Sequence, residues 1–125
     1  MEKKIITSDK LPVIGPYSLG VEAGGFIFIS GQIPLNPATG EVITDIRSAT
    51  MQVMTNLQTI IAQCGLTLDH IVKTTIFLQN MTDFAAVNEI YAGFFTEQPP
   101  ARSTVAVAAL PKGAPLEIEA IAVRK

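Results

Sequence analysis

The sequence predicts an α+β fold, a single mixed β-sheet with two helices packed on one of its faces. Three observations predict it. Apolar residues recur at three- and four-residue steps in two stretches, one over 45–63 and one beginning at Phe84. Runs rich in β-branched residues lie before, between and after those stretches. The 125 residues carry no linker and no internal repeat, so strands, helix, strand, helix and two further strands share one domain and one core.

Ser18 to Ala23 and Phe26 to Gln32 flank Gly24-Gly25, a two-residue glycine turn suited to a tight hairpin, and Pro34 to Gly40 reads as a loop. Asp45 to Gln63 sets Ile46, Ala49, Val53, Leu57, Ile60, Ile61 and Cys64 along the stripe of a helix that covers a sheet, with Gly65 placed to stop it. Ile71 to Leu78 reads as a strand. Thr82 or Asp83 can cap a second helix, whose stripe Phe84, Val87, Tyr91, Phe94 and Phe95 ends before Pro99-Pro100. The runs Pro100 to Val107 and Leu116 to Val123 complete the sheet.

Those last two strands each carry charges in apolar surroundings. Period two places Arg102, Thr104 and Ala106 on one face of the first, and Glu117, Glu119, Ile121 and Val123 on one face of the second. Both faces of the second strand bear apolar residues, so Glu119 is expected to be shielded from solvent, with Glu117 as its solvated neighbour. A buried charge without a partner costs several kcal/mol, roughly, so Arg102 and Glu119 need each other, a hydrogen-bond network or a ligand.

Composition excludes several function classes. The formal net charge is -2 with no lysine or arginine cluster, which disfavours a phosphate-backbone partner. One cysteine, Cys64, rules out an intrachain disulfide, and the single histidine, His70, has no triad partner at recognisable spacing. No metal-ligand cluster and no phosphate-binding glycine loop occurs, so neither metal nor cofactor is expected. Without a signal-peptide core or a long apolar run, the expected location is the cytoplasm rather than a membrane. Hydrophobic residues make up 48% of the chain against 16% charged, enough to expect apolar surface that meets another subunit.

The order Pro100-Ala101-Arg102-Ser103, Leu110-Pro111-Lys112-Gly113, then Leu116-Glu117-Ile118-Glu119-Ala120-Ile121-Ala122 resembles the carboxyl-terminal motif of the RidA family, the reactive enamine/imine deaminases. Upstream, Ile14-Gly15-Pro16-Tyr17-Ser18, Ser30-Gly31-Gln32-Ile33-Pro34 and Val72-Lys73-Thr74-Thr75-Ile76-Phe77 also look like family segments, as does Asp83-Phe84 followed by Val87-Asn88 and Tyr91. The similarity runs from about Ile5 to Arg124. It implies a chorismate-mutase-like homotrimer with sites between subunits, in which Arg102 grips a substrate carboxylate and Glu119 holds the attacking water. Tyr17, Ser30, Gly31, Asn88 and Thr104 are implied as substrate-binding positions.

Each residue also has a plainer reading. Arg102 and Glu119 suit a structural ion pair between neighbouring strands. Asn88, on the same helix face as Phe84 and Tyr91, suits a hydrogen bond to a nearby loop. Tyr17 suits loop packing, and Ser30-Gly31 a turn or bulge at a strand end. Thr104 stands where many relatives carry cysteine, which removes thiol chemistry there.

The function implied is hydrolysis of 2-enamino and 2-imino acids, such as 2-aminoacrylate and 2-iminobutanoate, to 2-keto acids and ammonia. A non-catalytic small-carboxylate-binding regulator is the first alternative, and an endoribonuclease or translation inhibitor the second.

Overall fold

A computed structural model of the chain describes residues 2–13, 15–95 and 97–124; Ile14 of the Gly-Pro-Tyr segment lies outside them. The elements are β1 (Lys4–Ile6), β2 (Gly20–Ala23), β3 (Phe26–Gln32), α1 (Ile46–Ala62), β4 (Ile71–Leu78), α2 (Phe84–Ala92), β5 (Ala101–Ala106) and β6 (Leu116–Val123). They form one six-stranded sheet in the order β1-β2-β3-β6-β4-β5. Every neighbouring pair is antiparallel except β4 and β5, which run parallel and are joined through α2. The predicted α+β fold with a mixed sheet is the observed one.

Both helices lie on one face. The α1 stripe Ala49, Val53, Leu57, Ile60 and Ile61 is buried against Ile27 and Ile29 of β3 and Leu116, Ile118, Ala120 and Ala122 of β6. Asp45 caps α1 by accepting from the Ser48 N–H at 3.0 Å. Gly65, at φ +75°, ends the turn after α1, leaving Cys64 half-buried just beyond the helix rather than in its stripe.

The α2 boundary differs from the sequence reading. Phe94 and Phe95 follow the helix, which stops at Gly93, and Asp83 makes no side-chain cap bond. Asn80 supplies the cap instead, accepting from the Thr82 N–H and hydroxyl at 3.0 and 2.8 Å and starting a 3-10 turn that leads into α2. β1 was not foreseen because three residues are too few for a period to register.

Among the described residues the second sheet face carries no helix. Phe26 and Phe28 of β3 are each 47% exposed there, and Val105 of β5 is 43% exposed, while Glu117 and Glu119 project from β6 between them. A face of this composition suits contact with another subunit. No helix of the described residues is long and apolar enough to cross a membrane.

Candidate active site

Strand register separates the two charges that the sequence reading joined. Arg102 sits opposite Thr74 of β4, whose side chain faces the helices, whereas Glu119 sits opposite Thr75, whose side chain faces the other way. Among the described residues Arg102 forms no ion pair, so the structural Arg102–Glu119 pair is absent. Glu119 is exposed and Glu117 is half-buried, the reverse of their predicted burial.

Arg102 is held from three sides on the helix face. Its guanidinium donates to Asn88 Oδ1 at 2.8 Å and lies 5.1 Å from the Tyr91 ring centre and 5.6 Å from that of Phe84. Tyr91 is itself fixed by a 2.7 Å hydrogen bond between its hydroxyl and that of buried Thr74, the strand neighbour of Arg102. Asn88 shares a face with Phe84 and Tyr91 as predicted, but it is exposed, and its oxygen orients the arginine. An open cavity of about 410 Å³ adjoins this cluster, walled by Tyr91, Phe95, Pro99 and Pro100. Two residues along β5, on the arginine's side of the sheet, Thr104 buries its hydroxyl oxygen without a hydrogen-bond partner.

Glu117 belongs to a second cluster, on the opposite face. The β3–β6 register shifts between Ile29 and Gln32, and this irregularity brings Gly31 beneath the glutamate. A Cβ at Gly31 would lie 1.9 Å from Glu117 Oε2, so the carboxyl occupies the space that glycine leaves free. Burial, and then the neighbouring Glu119 charge, push the Glu117 carboxyl above the usual carboxylate range. A half-shielded carboxyl with a raised pKa holds a proton more readily than an exposed one, which suits it to proton transfer.

Ser30 organises this cluster rather than facing a ligand. Its hydroxyl donates to the Ser18 carbonyl at 2.5 Å and its N–H to the Leu19 carbonyl at 2.9 Å, tying the Gly15–Leu19 loop to the end of β3. That loop presents Tyr17, half exposed, beside Gly31 and the Pro111-Lys112 turn around a cavity of about 320 Å³. Lys112, at φ +55°, is the only described residue other than glycine with a left-handed backbone.

The predicted residues thus fall into two groups, Arg102, Asn88 and Thr104 on one face, and Tyr17, Ser30 and Gly31 with the unpredicted Glu117 on the other. Arg102 and Glu117 are paired to β4 residues three positions apart, roughly 10 Å along the strand, and across the sheet from each other. No group of three His, Cys, Asp or Glu side chains assembles among the described residues.

The close approach at Gly31 has a direct test. Gly31→Ala drives a methyl into the Glu117 carboxyl, which has a flexible side chain and swings aside. Stability is expected to stay within about 1 kcal/mol of the parent. Any activity that uses this carboxyl should fall about 100-fold, the effect of a misplacement near 1 Å. Unchanged turnover in a folded variant would show that the carboxyl position does not matter.

Comparison with known proteins finds similarity across nearly the whole chain. The family model described as Endoribonuclease L-PSP matches residues 7–124. The chain is 49% identical over 128 residues to the 2-iminobutanoate/2-iminopropanoate deaminase of Escherichia coli, covering 100% of both. It is 51% identical over 127 residues to protein DfrA of Myxococcus xanthus, covering 98% of this chain and 97% of that one. The solved structure of Escherichia coli TdcF with bound serine superposes at a TM-score of 0.93 with 44% identity, covering 98% of this chain and 99% of that one. With a full-length family match, close relatives and an agreeing fold, the chain belongs to the RidA family of YjgF-type proteins.

Proposed function

We propose that this chain is a cofactor-free deaminase that hydrolyses 2-imino acids, and enamines after tautomerisation, to 2-keto acids and ammonia. The observation that carries this reading is the Glu117 carboxyl, raised in pKa and seated on the bare backbone of Gly31. Arg102, which has no acidic partner among the described residues and is oriented by Asn88, Tyr91 and Phe84, supplies a two-pronged grip for the substrate carboxylate. Thr104 lies on the same side of the sheet, with its hydroxyl oxygen buried. The Escherichia coli relative named for this reaction supports it.

In this mechanism Glu117 replaces Glu119 as the proposed base. Ionised Glu117 takes a proton from water as the water oxygen bonds to the imine carbon; the C=N π pair moves to nitrogen, which takes a proton from solvent to give the neutral carbinolamine. The protonated Glu117 then gives its proton to the amine as the C–N bond breaks and ammonia departs. The hydroxyl proton passes to solvent as C=O forms, which returns the proton taken up on addition and leaves Glu117 ionised. A reaction already fast in water needs positioning and modest acid–base help, which matches the small number of polar groups.

Arg102 and Glu117 face opposite ways in one chain, so the complete site is proposed to form where Arg102 of one copy meets the Gly31–Glu117 cluster of the next. Three copies packed through the helix-free face give the proposed homotrimer. The cytoplasm, where amino-acid dehydratases release such imines, is the proposed location. TdcF with bound serine supports a second reading, a carboxylate-binding regulator without turnover. The ribonuclease named in the family description gains no support from the charge, which is -2 overall.

Coupling an amino-acid dehydratase to the purified protein and following keto-acid release decides between enzyme and regulator. Acceleration over the spontaneous rate is expected. Binding of keto acids without acceleration would leave the regulator reading. Thr104→Cys should keep turnover within about tenfold, or about 1.4 kcal/mol of barrier, because water rather than a thiol attacks. A gain of several orders of magnitude would mean that a thiol takes part.

A further inference from the structure

We infer that Thr74, a fully buried residue of β4, is a positioning residue for the carboxylate grip: its hydroxyl locks the Tyr91 ring against which the Arg102 guanidinium lies. This rests on the reading of Arg102 as the group that holds the substrate carboxylate, and deepens it. Arginine is a long side chain with several rotatable bonds, and this one stands on the edge strand β5 with no acidic partner among the described residues. Its aim must come from its neighbours. Asn88 and Phe84 are both exposed, so water competes for those two contacts. Tyr91, 5% exposed, is the buried contact.

What fixes the ring is a closed circuit. Thr74 is the register partner of Arg102 across β4 and β5, so the strand pair ties it to the backbone from which the arginine rises. Its hydroxyl meets the Tyr91 hydroxyl at 2.7 Å, and the Tyr91 ring returns to 5.1 Å from the guanidinium. Phe95 packs on the same ring, with centres 4.9 Å apart and planes tilted by 45°. Among the described residues the two hydroxyls bond only to each other across side chains, and burial raises the Tyr91 phenol above its ordinary range, so the pair stays protonated and joined through neutral pH. An arginine held in this way loses less freedom when a carboxylate binds, a gain expressed as affinity rather than as rate.

Removing both hydroxyls separates a positioning role from a merely structural one. Thr74→Val or Tyr91→Phe alone strands the remaining hydroxyl in the core and should lower stability, whereas the double variant keeps nearly the same shape and should unfold close to the parent midpoint. Calorimetry with pyruvate should nonetheless find the double variant binding roughly three- to tenfold more weakly, the freedom regained by one long side chain. In the dehydratase-coupled assay at graded imine supply, KM should rise by a similar factor with kcat within about twofold. Thr74→Ser, which keeps the hydroxyl, should recover most of the affinity lost in Thr74→Val. Parental pyruvate affinity in the folded double variant, or equal losses in Thr74→Ser and Thr74→Val, overturns the positioning role and leaves the deaminase reading intact. Weaker pyruvate binding in the double variant, with no imine turned over by the parent, sinks the deaminase reading and leaves Thr74 in its role.

Discussion

Glu117→Gln is expected to lower imine turnover by about 100- to 10,000-fold, the range for loss of a general base, while leaving pyruvate affinity nearly unchanged. Glutamine keeps the shape over Gly31 and a contact to water but cannot take the proton. The pH profile carries a second signature. Because Glu117 must be ionised to act and its carboxyl titrates above the ordinary value of 4.5, activity should rise with pH through a limb displaced upward. Glu119 contributes to that displacement, so Glu119→Gln should move the limb down while turnover at neutral pH stays within about threefold. The native state holds the Glu117 proton more tightly than the unfolded chain, so stability falls as pH rises from the ordinary to the raised value. Glu117→Gln abolishes that fall and should unfold no more easily than the parent at neutral pH. A profile that ignores both substitutions would remove Glu117 from the chemistry.

Arg102→Lys should reduce both pyruvate affinity and imine turnover by about 10- to 100-fold, although the charge is kept. Lysine presents a point charge and cannot hold Asn88 and a carboxylate with one planar fork. Charged hydrogen bonds contribute about 1.5–3 kcal/mol each, which sets the range. Tyr91 and Phe84 still offer a cation its ring faces, so the fold should survive and the loss should be one of geometry. Calorimetry with pyruvate and the dehydratase-coupled assay should show parallel losses. Full retention of both would leave Arg102 as a packing residue.

The fold was legible because its signals are periodic. The α1 stripe, the glycine hairpin turn and the β4 run each repeat a local pattern that the observed elements follow closely. The site was legible in part. Arg102 and Gly31 are marked by local anomaly, a guanidinium among small residues and a glycine at a strand end. The choice between Glu117 and Glu119 is not local. Period two puts both on one face, and only the register shift opposite Gly31 decides which lies against the glycine. Burial of β6 was misjudged for a related reason: apolar residues on both faces suggested shielding, yet the face bearing Phe26 and Phe28 stands open in the single chain.

The placement of Arg102 and Glu117 on opposite faces means that one polypeptide owns both charges but does not bring them together. Under the proposed trimer the heritable unit and the catalytic unit differ. A chain lacking Arg102 still lends its glutamate to one neighbour, and a chain lacking Glu117 still lends its arginine to the other. Two defective alleles co-expressed in equal amounts would therefore rebuild about a quarter of the sites by random mixing in a closed ring. In such a trimer selection would act on the boundary between copies, and harmful changes at either charge would be partly hidden whenever the other allele is broken at the other charge.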